Sequence, residues 1–187
     1  MNVYDFDKTI FYPDSSFCFV LFCFSRHPFA VLRTLPRIVS AGIRFASGKI
    51  DTTSLKESLF AFLRFLPDPE QDVADFWRIH FRRIGMWYLE RKKQDDLIVT
   101  ASPEFLVSVA AGTLGVALIG TRMDVNTGTV LGKNCSGEEK VRRFRECYPD
   151  AEIQSFFSDS LSDQPMASLA GKAYLVRKGS LKDWPAS

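Results

Sequence analysis

Hydrophobic positions change their spacing along the chain, and the changes divide it. Asn2–Phe6 is a short apolar run leading into a polar turn, the pattern of a buried strand. From about Pro13 to Lys93 apolar residues recur at helical spacing, and no strand is expected. Breaks should fall at Pro28, at Gly48 and at Pro67-Asp68-Pro69. Asp51-Thr52-Thr53-Ser54 offers N-caps for a helix carrying Leu55, Leu59, Phe62, Leu63 and Leu66. After the charged stretch Glu90–Asp96 the compact runs return. Leu97-Ile98-Val99 and Val116-Ala117-Leu118-Ile119 read as strands, with a helix from Pro103 between them. Arg122–Leu131 reads as a hairpin turning at Asn126-Thr127-Gly128. Gly137–Cys147 should be helical, Ile153–Phe157 a strand, Pro165–Ala170 a helix and Ala173–Val176 a last strand.

Strands alternating with helices predict an α/β fold, a parallel sheet with helices on both faces. The helical block after the first strand is too long for a simple crossover and reads as an insertion. Residues 1–13 and 94–187 would form the core, and 14–93 the inserted part.

Charge follows the same division. The 187 residues carry a net +2, too little to suggest nucleic acid. Residues 14–94 hold 13 Lys/Arg against 8 Asp/Glu, whereas the remainder holds 11 against 14. The four cysteines show neither metal-ligand nor disulfide-framework spacing and read as thiols in a reducing compartment. No signal peptide is visible, which makes the cytoplasm the default expectation. The most apolar run, Phe17–Phe24, falls far short of the roughly 20 residues a spanning helix needs. The sequence sets no oligomeric state.

Candidate chemistry gathers at the expected strand ends. In Asp5-Phe6-Asp7-Lys8-Thr9, alternate residues of an extended chain share a side, so Asp5 and Asp7 can face one site. In open α/β sheets that end of the strand is where ligands bind. Two carboxylates so close repel, a divalent cation relieves the repulsion, and an oxygen-rich set favours magnesium. One carboxylate could then attack while the other moves a proton. A solvated acidic turn is the plainer alternative. Thr100-Ala101-Ser102-Pro103 places hydroxyls and a free N–H at a strand-to-helix junction, a phosphate cradle or an N-cap, with Thr100 on phosphate and Ser102 capping if both hold. Lys140 lies early in a helix, and Asp159 and Asp163 follow another strand.

The order Asp5-x-Asp7-x-Thr9, Thr100, Lys140, Asp159-x-x-x-Asp163 resembles the motif series of the haloacid dehalogenase superfamily over essentially the whole chain. The inserted block resembles the helical cap of its phosphoserine phosphatase-like branch, and the motifs also resemble those of phosphatidylglycerophosphatase C. Thr-Ala-Ser-Pro replaces the Ser-Gly-Gly-Phe of true phosphoserine phosphatases, and Ser-Asp-Ser-Leu-Ser-Asp their Gly-Asp-Gly-x-Asn-Asp.

The resemblance implies a Rossmann-like core and a magnesium-dependent phosphomonoester hydrolase that works through an aspartyl-phosphate. It makes Asp5 the nucleophile, Asp7 the acid/base, and Thr100, Ala101 and Lys140 the phosphate ligands. Asp5, the Asp7 backbone carbonyl and Asp159 would hold magnesium. Thr9 would support the site from behind, and Asp163 would orient Lys140 or a metal-bound water. Asp14 sits where related enzymes hold a substrate-contacting acid, or it is the N-cap of the run from Ser15. His27 and His80 fall outside every motif and read as cap residues.

At about 100° per residue, Arg26, Arg33, Arg37 and Arg44 fall within roughly 40° of one another, with Phe29, Leu32, Leu35, Ile38, Val39 and Ile43 opposite. The bland expectation is that the apolar side packs on neighbours and the arginines are solvated. The functional one is peripheral contact with an anionic membrane or an amphiphilic phosphate ester. A phosphatase of a small soluble metabolite such as phosphoserine, a phosphotransferase or dehalogenase on the same scaffold, and a non-catalytic membrane-surface protein are the competing readings. Retention of Asp7 favours hydrolysis over dehalogenation.

Overall fold

The computed structural model describes residues 1–185; the last two residues of the expected core segment, Ala186 and Ser187, lie outside the described residues. The chain opens with β1 (Asn2–Tyr4) and runs into α1 (Ser15–Arg26), α2 (Pro28–Ala46), α3 (Thr52–Leu59), α4 (Pro69–His80) and α5 (Met86–Leu89). It then alternates through β2 (Leu97–Pro103), α6 (Glu104–Leu114), β3 (Ala117–Thr121), α7 (Glu138–Cys147), β4 (Ile153–Ser158), α8 (Gln164–Ala167), β5 (Ala170–Arg177) and β6 (Ser180–Asp183). The strands form one sheet in the order β3-β2-β1-β4-β5-β6, parallel except for β6.

Strand pleating sends alternate side chains to opposite faces, and each face meets its own helices. Val3, Leu97, Val99, Ile153 and Phe156 pack with Phe144 of α7 and Met166 of α8. Tyr4, Ile98 and Phe157 join the other cluster, which continues through Leu106 of α6 into Phe19, Phe62, Phe76, Trp77 and Tyr88 of the inserted block. Tyr4 and Phe157 stack with centroids 4.6 Å apart. The helices between β1 and β2 therefore share a core with the sheet, and burying each such aromatic contributes about 1.5–3 kcal/mol.

Local details depart from the sequence expectations for physical reasons. The Arg122–Leu131 hairpin is reduced to one bridge, Met123 with Val130, because the Asp124 carboxylate takes the N–H groups of Asn126 and Thr127 and turns the chain early. Gly128 there has φ +71°, and a Cβ would run into the Phe60 carbonyl. The last helix is shorter than expected, and β5 starts at Ala170 rather than Ala173. Strand β6 reads Ser-Leu-Lys-Asp, with no apolar run to announce it.

The basic helix departs most. His27 separates α1 from α2, with Pro28 in the first turn of α2 and Pro36 inside it. Arg26 belongs to α1, where it pairs with Asp75 at 2.5 Å and Asp72 at 3.5 Å, so only Arg33, Arg37 and Arg44 share a helix. The residues α2 buries are small or β-branched: Ala30, Val31, Thr34 and Ala41. Phe29, Leu32, Leu35, Val39 and Ile43, expected to pack inward, are exposed instead. No helix of the described residues is long and apolar enough to cross a membrane.

Candidate active site

β1 lies between β2 and β4, with Val3 in register with Leu97 on one side and Phe156 on the other. Their parallel course delivers three chain segments to one edge of the sheet. Asp5 follows β1, Thr100–Ser102 end β2, and Ser158-Asp159 end β4. Asp5, Thr100–Ser102 and Asp159 line a cavity of about 450 Å³, to which Asp14, Ser16 and Phe17 after β1 and Lys56 and Leu59 of α3 also contribute.

Lys140 is the hub. It is 2% exposed, and its Nζ donates to Asp5 Oδ1 at 2.8 Å and to Asp163 Oδ2 at 2.7 Å. Ser158 Oγ donates to the same Asp163 oxygen at 2.7 Å. Thr9 ties two motifs together: its hydroxyl donates to Asp5 Oδ2 at 3.3 Å and accepts from the Asp159 N–H at 2.9 Å. Burial disfavours the Lys140 ammonium, but Asp5 and Asp163 outweigh that and hold it above the usual lysine range. Burial pushes the Asp5 carboxyl up to about 7 against the pull of Lys140. Burial likewise raises Asp159, with Lys8 and Arg177 opposing.

Asp7 sits in a cluster of hydroxyls. The Ser15 N–H donates to Oδ1 at 2.6 Å, and Ser102 Oγ donates to Oδ2. Ser16 Oγ lies 3.1 Å from Ser102 Oγ. Burial, reinforced by Asp14, raises Asp7 to about 6, while Ser102 and Ser15 pull it down. Ser102 therefore does not cap α6 as expected. Strand β2 runs on through Pro103, whose N-cap position makes no side-chain hydrogen bond. Two extra residues of β2 stand between the Val99–Ile119 and Pro103–Thr121 pairs, a bulge that takes Thr100–Ser102 out of the regular ladder. Thr100 Oγ1 accepts from the Ser102 N–H at 3.1 Å, and its own proton is unused among the described residues. Asp14 caps α1 by accepting from the Phe17 N–H at 2.9 Å and also lines the cavity.

Lys56 escaped the sequence reading. It stands in a mid-helix position that reads as solvated, yet its Nζ donates to the Ala101 carbonyl and, at 2.5 Å, to Asn134 Oδ1. Burial lowers it to about 8, with Asp7 and Asp14 opposing. Its helix neighbour Leu59, also on the cavity wall, is the only cue in the pattern. His27 and His80 stay within the inserted block, on Asp72 and on the Phe76 carbonyl. Cys18, Cys23 and Cys135 are buried, Cys147 is exposed, and all are free thiols.

Five aspartates and three lysines line the cavity, leaving two formal negative charges, the balance of one divalent cation. Among the described residues no three His, Cys, Asp or Glu side chains are gathered as a ready metal cluster. Asp5, Asp7 and Asp159 line the cavity together and bring oxygen donors to it. No hydrogen bond to the Asp159 carboxylate exists among the described residues. A small all-oxygen set completed by water is what magnesium accepts, so the residues fit that ion.

The model of the haloacid dehalogenase-like hydrolases matches residues 3–168. Protein CicA of Caulobacter vibrioides is 30% identical, with 94% of this chain and 86% of that protein aligned. A Bordetella pertussis protein of unknown function superposes with a TM-score of 0.71 at 21% identity, over 92% of this chain and 87% of its own. An unliganded structure from Vibrio cholerae, described as a probable phosphoserine phosphatase, does so with a TM-score of 0.67 at 13% identity, over 92% of this chain and 55% of that one. With the motif residues of the resemblance converging on one cavity and the family model spanning most of its length, the chain belongs to the haloacid dehalogenase-like hydrolases.

Proposed function

We propose that this hydrolase is a magnesium-dependent phosphomonoester phosphatase in which Asp5 is the nucleophile. The contact that carries the reading is Lys140 bridging Asp5 and Asp163 at the carboxyl edge of the sheet, inside a cavity two charges short of neutrality. In the first step an Asp5 oxygen attacks phosphorus in line, the P–O bond to the alcohol breaks, and Asp7 gives the leaving oxygen its proton. In the second, Asp7 takes a proton from water. The water oxygen attacks phosphorus, the Asp5–phosphorus bond breaks, and inorganic phosphate and the free carboxylate result. Lys140 and the Thr100 hydroxyl, with the Ala101 segment, face the equatorial oxygens, where charge spreads in the transition state. Magnesium, held by Asp5, the Asp7 carbonyl and Asp159, would supply charge neutralisation and substrate orientation. Thr9 and Asp163 hold Asp5, Asp159 and Lys140 in place.

Residues 14–93 act as the cap in this reading, which the presence of Asp14, Ser16, Phe17, Lys56 and Leu59 among the cavity-lining residues supports. Phe17 and Leu59 give the entrance apolar walls, which favours a phosphate ester with an apolar portion over phosphoserine. We place the enzyme in the cytoplasm, working at the membrane periphery. Phosphate release with magnesium, screened over phosphoserine, sugar phosphates, nucleotides, lysophospholipid phosphates and phosphatidylglycerol phosphate, tests the reading. Release from the amphiphilic esters above the rest is expected. No release from any ester overturns it.

A further inference from the structure

Two grooves lie side by side on the outer surface of α2. One, of about 560 Å³, is apolar, walled by Leu35, Pro36, Val39 and Ile43 and bordered by Ser40 and Arg44. The other, of about 290 Å³, runs between α2 and α3 and is polar and basic, with Arg37, Arg44, Ser40, Ser54 and Ser58 on its walls. Glu57 also lines it, with one carboxylate oxygen taken by the Val130 N–H at 3.0 Å. Ser40 and Arg44 belong to both grooves.

The helix has three distinct arcs. At about 100° per residue, Leu32, Leu35, Val39 and Ile43 point one way, and Ile43 is 67% exposed. Arg33, Arg37 and Arg44 lie roughly 120° away. Ala30, Thr34 and Ala41 occupy the third arc and pack against the molecule. Neither α1 nor α2 contains an acidic residue. Arg33 rests on the Phe65 ring at 4.4 Å, and Arg33, Arg37 and Arg44 form no ion pair among the described residues. Phe17, Leu21 and Phe24 make a second exposed apolar stripe on α1, and Phe17 reaches the catalytic cavity.

We propose that this face of α2 docks on an anionic lipid bilayer, with Leu35, Val39 and Ile43 in the acyl boundary and Arg33, Arg37 and Arg44 at the lipid phosphates. An apolar stripe flanked by arginines matches the layering of such a surface, apolar below and anionic above. A second copy of the chain is a poorer occupant. A two-fold contact through this face would bring the same three arginines of each copy together, with Glu57 the one acid on the groove walls and one of its oxygens already taken by the Val130 N–H. The surface is separate from the catalytic cavity, so docking is read without turnover.

The test is co-sedimentation of the full chain with phosphatidylcholine vesicles with and without phosphatidylglycerol, at low and moderate salt. Binding only to the anionic vesicles, weakened by salt, is expected. Arg33→Gln, Arg37→Gln and Arg44→Gln combined should lower partitioning about a hundredfold, since each arginine near such a surface is worth about fivefold. Val39→Ser with Ile43→Ser should weaken it as well. Both variants should keep the wild-type rate on a soluble aryl phosphate, which separates a failure of docking from a failure of the phosphatase reading. Equal binding to neutral and anionic vesicles overturns the proposal, as does undiminished binding by the arginine variant. So does a concentration-dependent dimer, without vesicle binding, that Val39→Ser and Ile43→Ser dissolve.

Discussion

Ser102 donates its hydroxyl to Oδ2 of Asp7 across 95 positions of sequence, joining the end of β2 to the turn after β1. The Ser15 N–H holds the other oxygen, so the carboxylate is fixed at both ends. A hydrogen bond to a charged group contributes about 1.5–3 kcal/mol, so Ser102→Ala should lower kcat about tenfold to a hundredfold. KM should change little, because Ser102 acts through Asp7 rather than on the ester, and Ser102→Thr should recover part of the loss. A rise in KM at unchanged kcat would place Ser102 on the substrate instead.

Asp7 itself should separate chemistry from metal binding. Only its backbone carbonyl is assigned to magnesium, so Asp7→Asn should bind the ion normally while turnover falls about 10²–10⁴-fold. Calorimetric titration with magnesium reads the first quantity and phosphate release the second. Lost affinity would make the carboxylate a ligand.

Lys140 neutralises two buried carboxylates, which makes its removal a matter of stability as well as rate. Lys140→Met leaves Asp5 and Asp163 facing each other without a cation, and breaking buried pairs of this kind costs about 3–5 kcal/mol. Chemical denaturation should show that loss, and magnesium should restore part of it. An unchanged midpoint would mean that the ion pairs contribute nothing to the fold.

The apolar pattern reached the sheet because buried strands obey local rules, whereas Lys140, Asp159 and Asp163 were singled out by the resemblance to a known motif series rather than by pattern. Apolar runs at Leu97–Val99 and Ile153–Phe157 mark buried strands whatever surrounds them. The spacing of Asp5 and Asp7 places two carboxylates at a strand end before any tertiary contact is known. Lys56 and Ser102 were not legible in the same way. A lysine in mid-helix and a serine before a proline have ordinary solvent and capping roles, and only the bulge in β2 and the fold of α3 over it turn them inward. Periodicity also showed an apolar stripe on α2 without showing what would cover it, and α2 packs through Ala30, Thr34 and Ala41 instead. Arg26 joined the wrong face because Pro28, acceptable in a first turn, also starts a new helix.

The central claim is that Asp5 itself carries the phosphoryl group during turnover. Acid-quenching the enzyme while it hydrolyses an aryl phosphate with magnesium, reducing with sodium borohydride and sequencing the N-terminal peptide by mass spectrometry tests it most directly. An acyl phosphate is reduced to the alcohol, so homoserine should appear at position 5 and vanish when chelator is present. Unmodified Asp5 in an enzyme that is turning over, or the reduced residue at Asp7 or Asp159 instead, would contradict it.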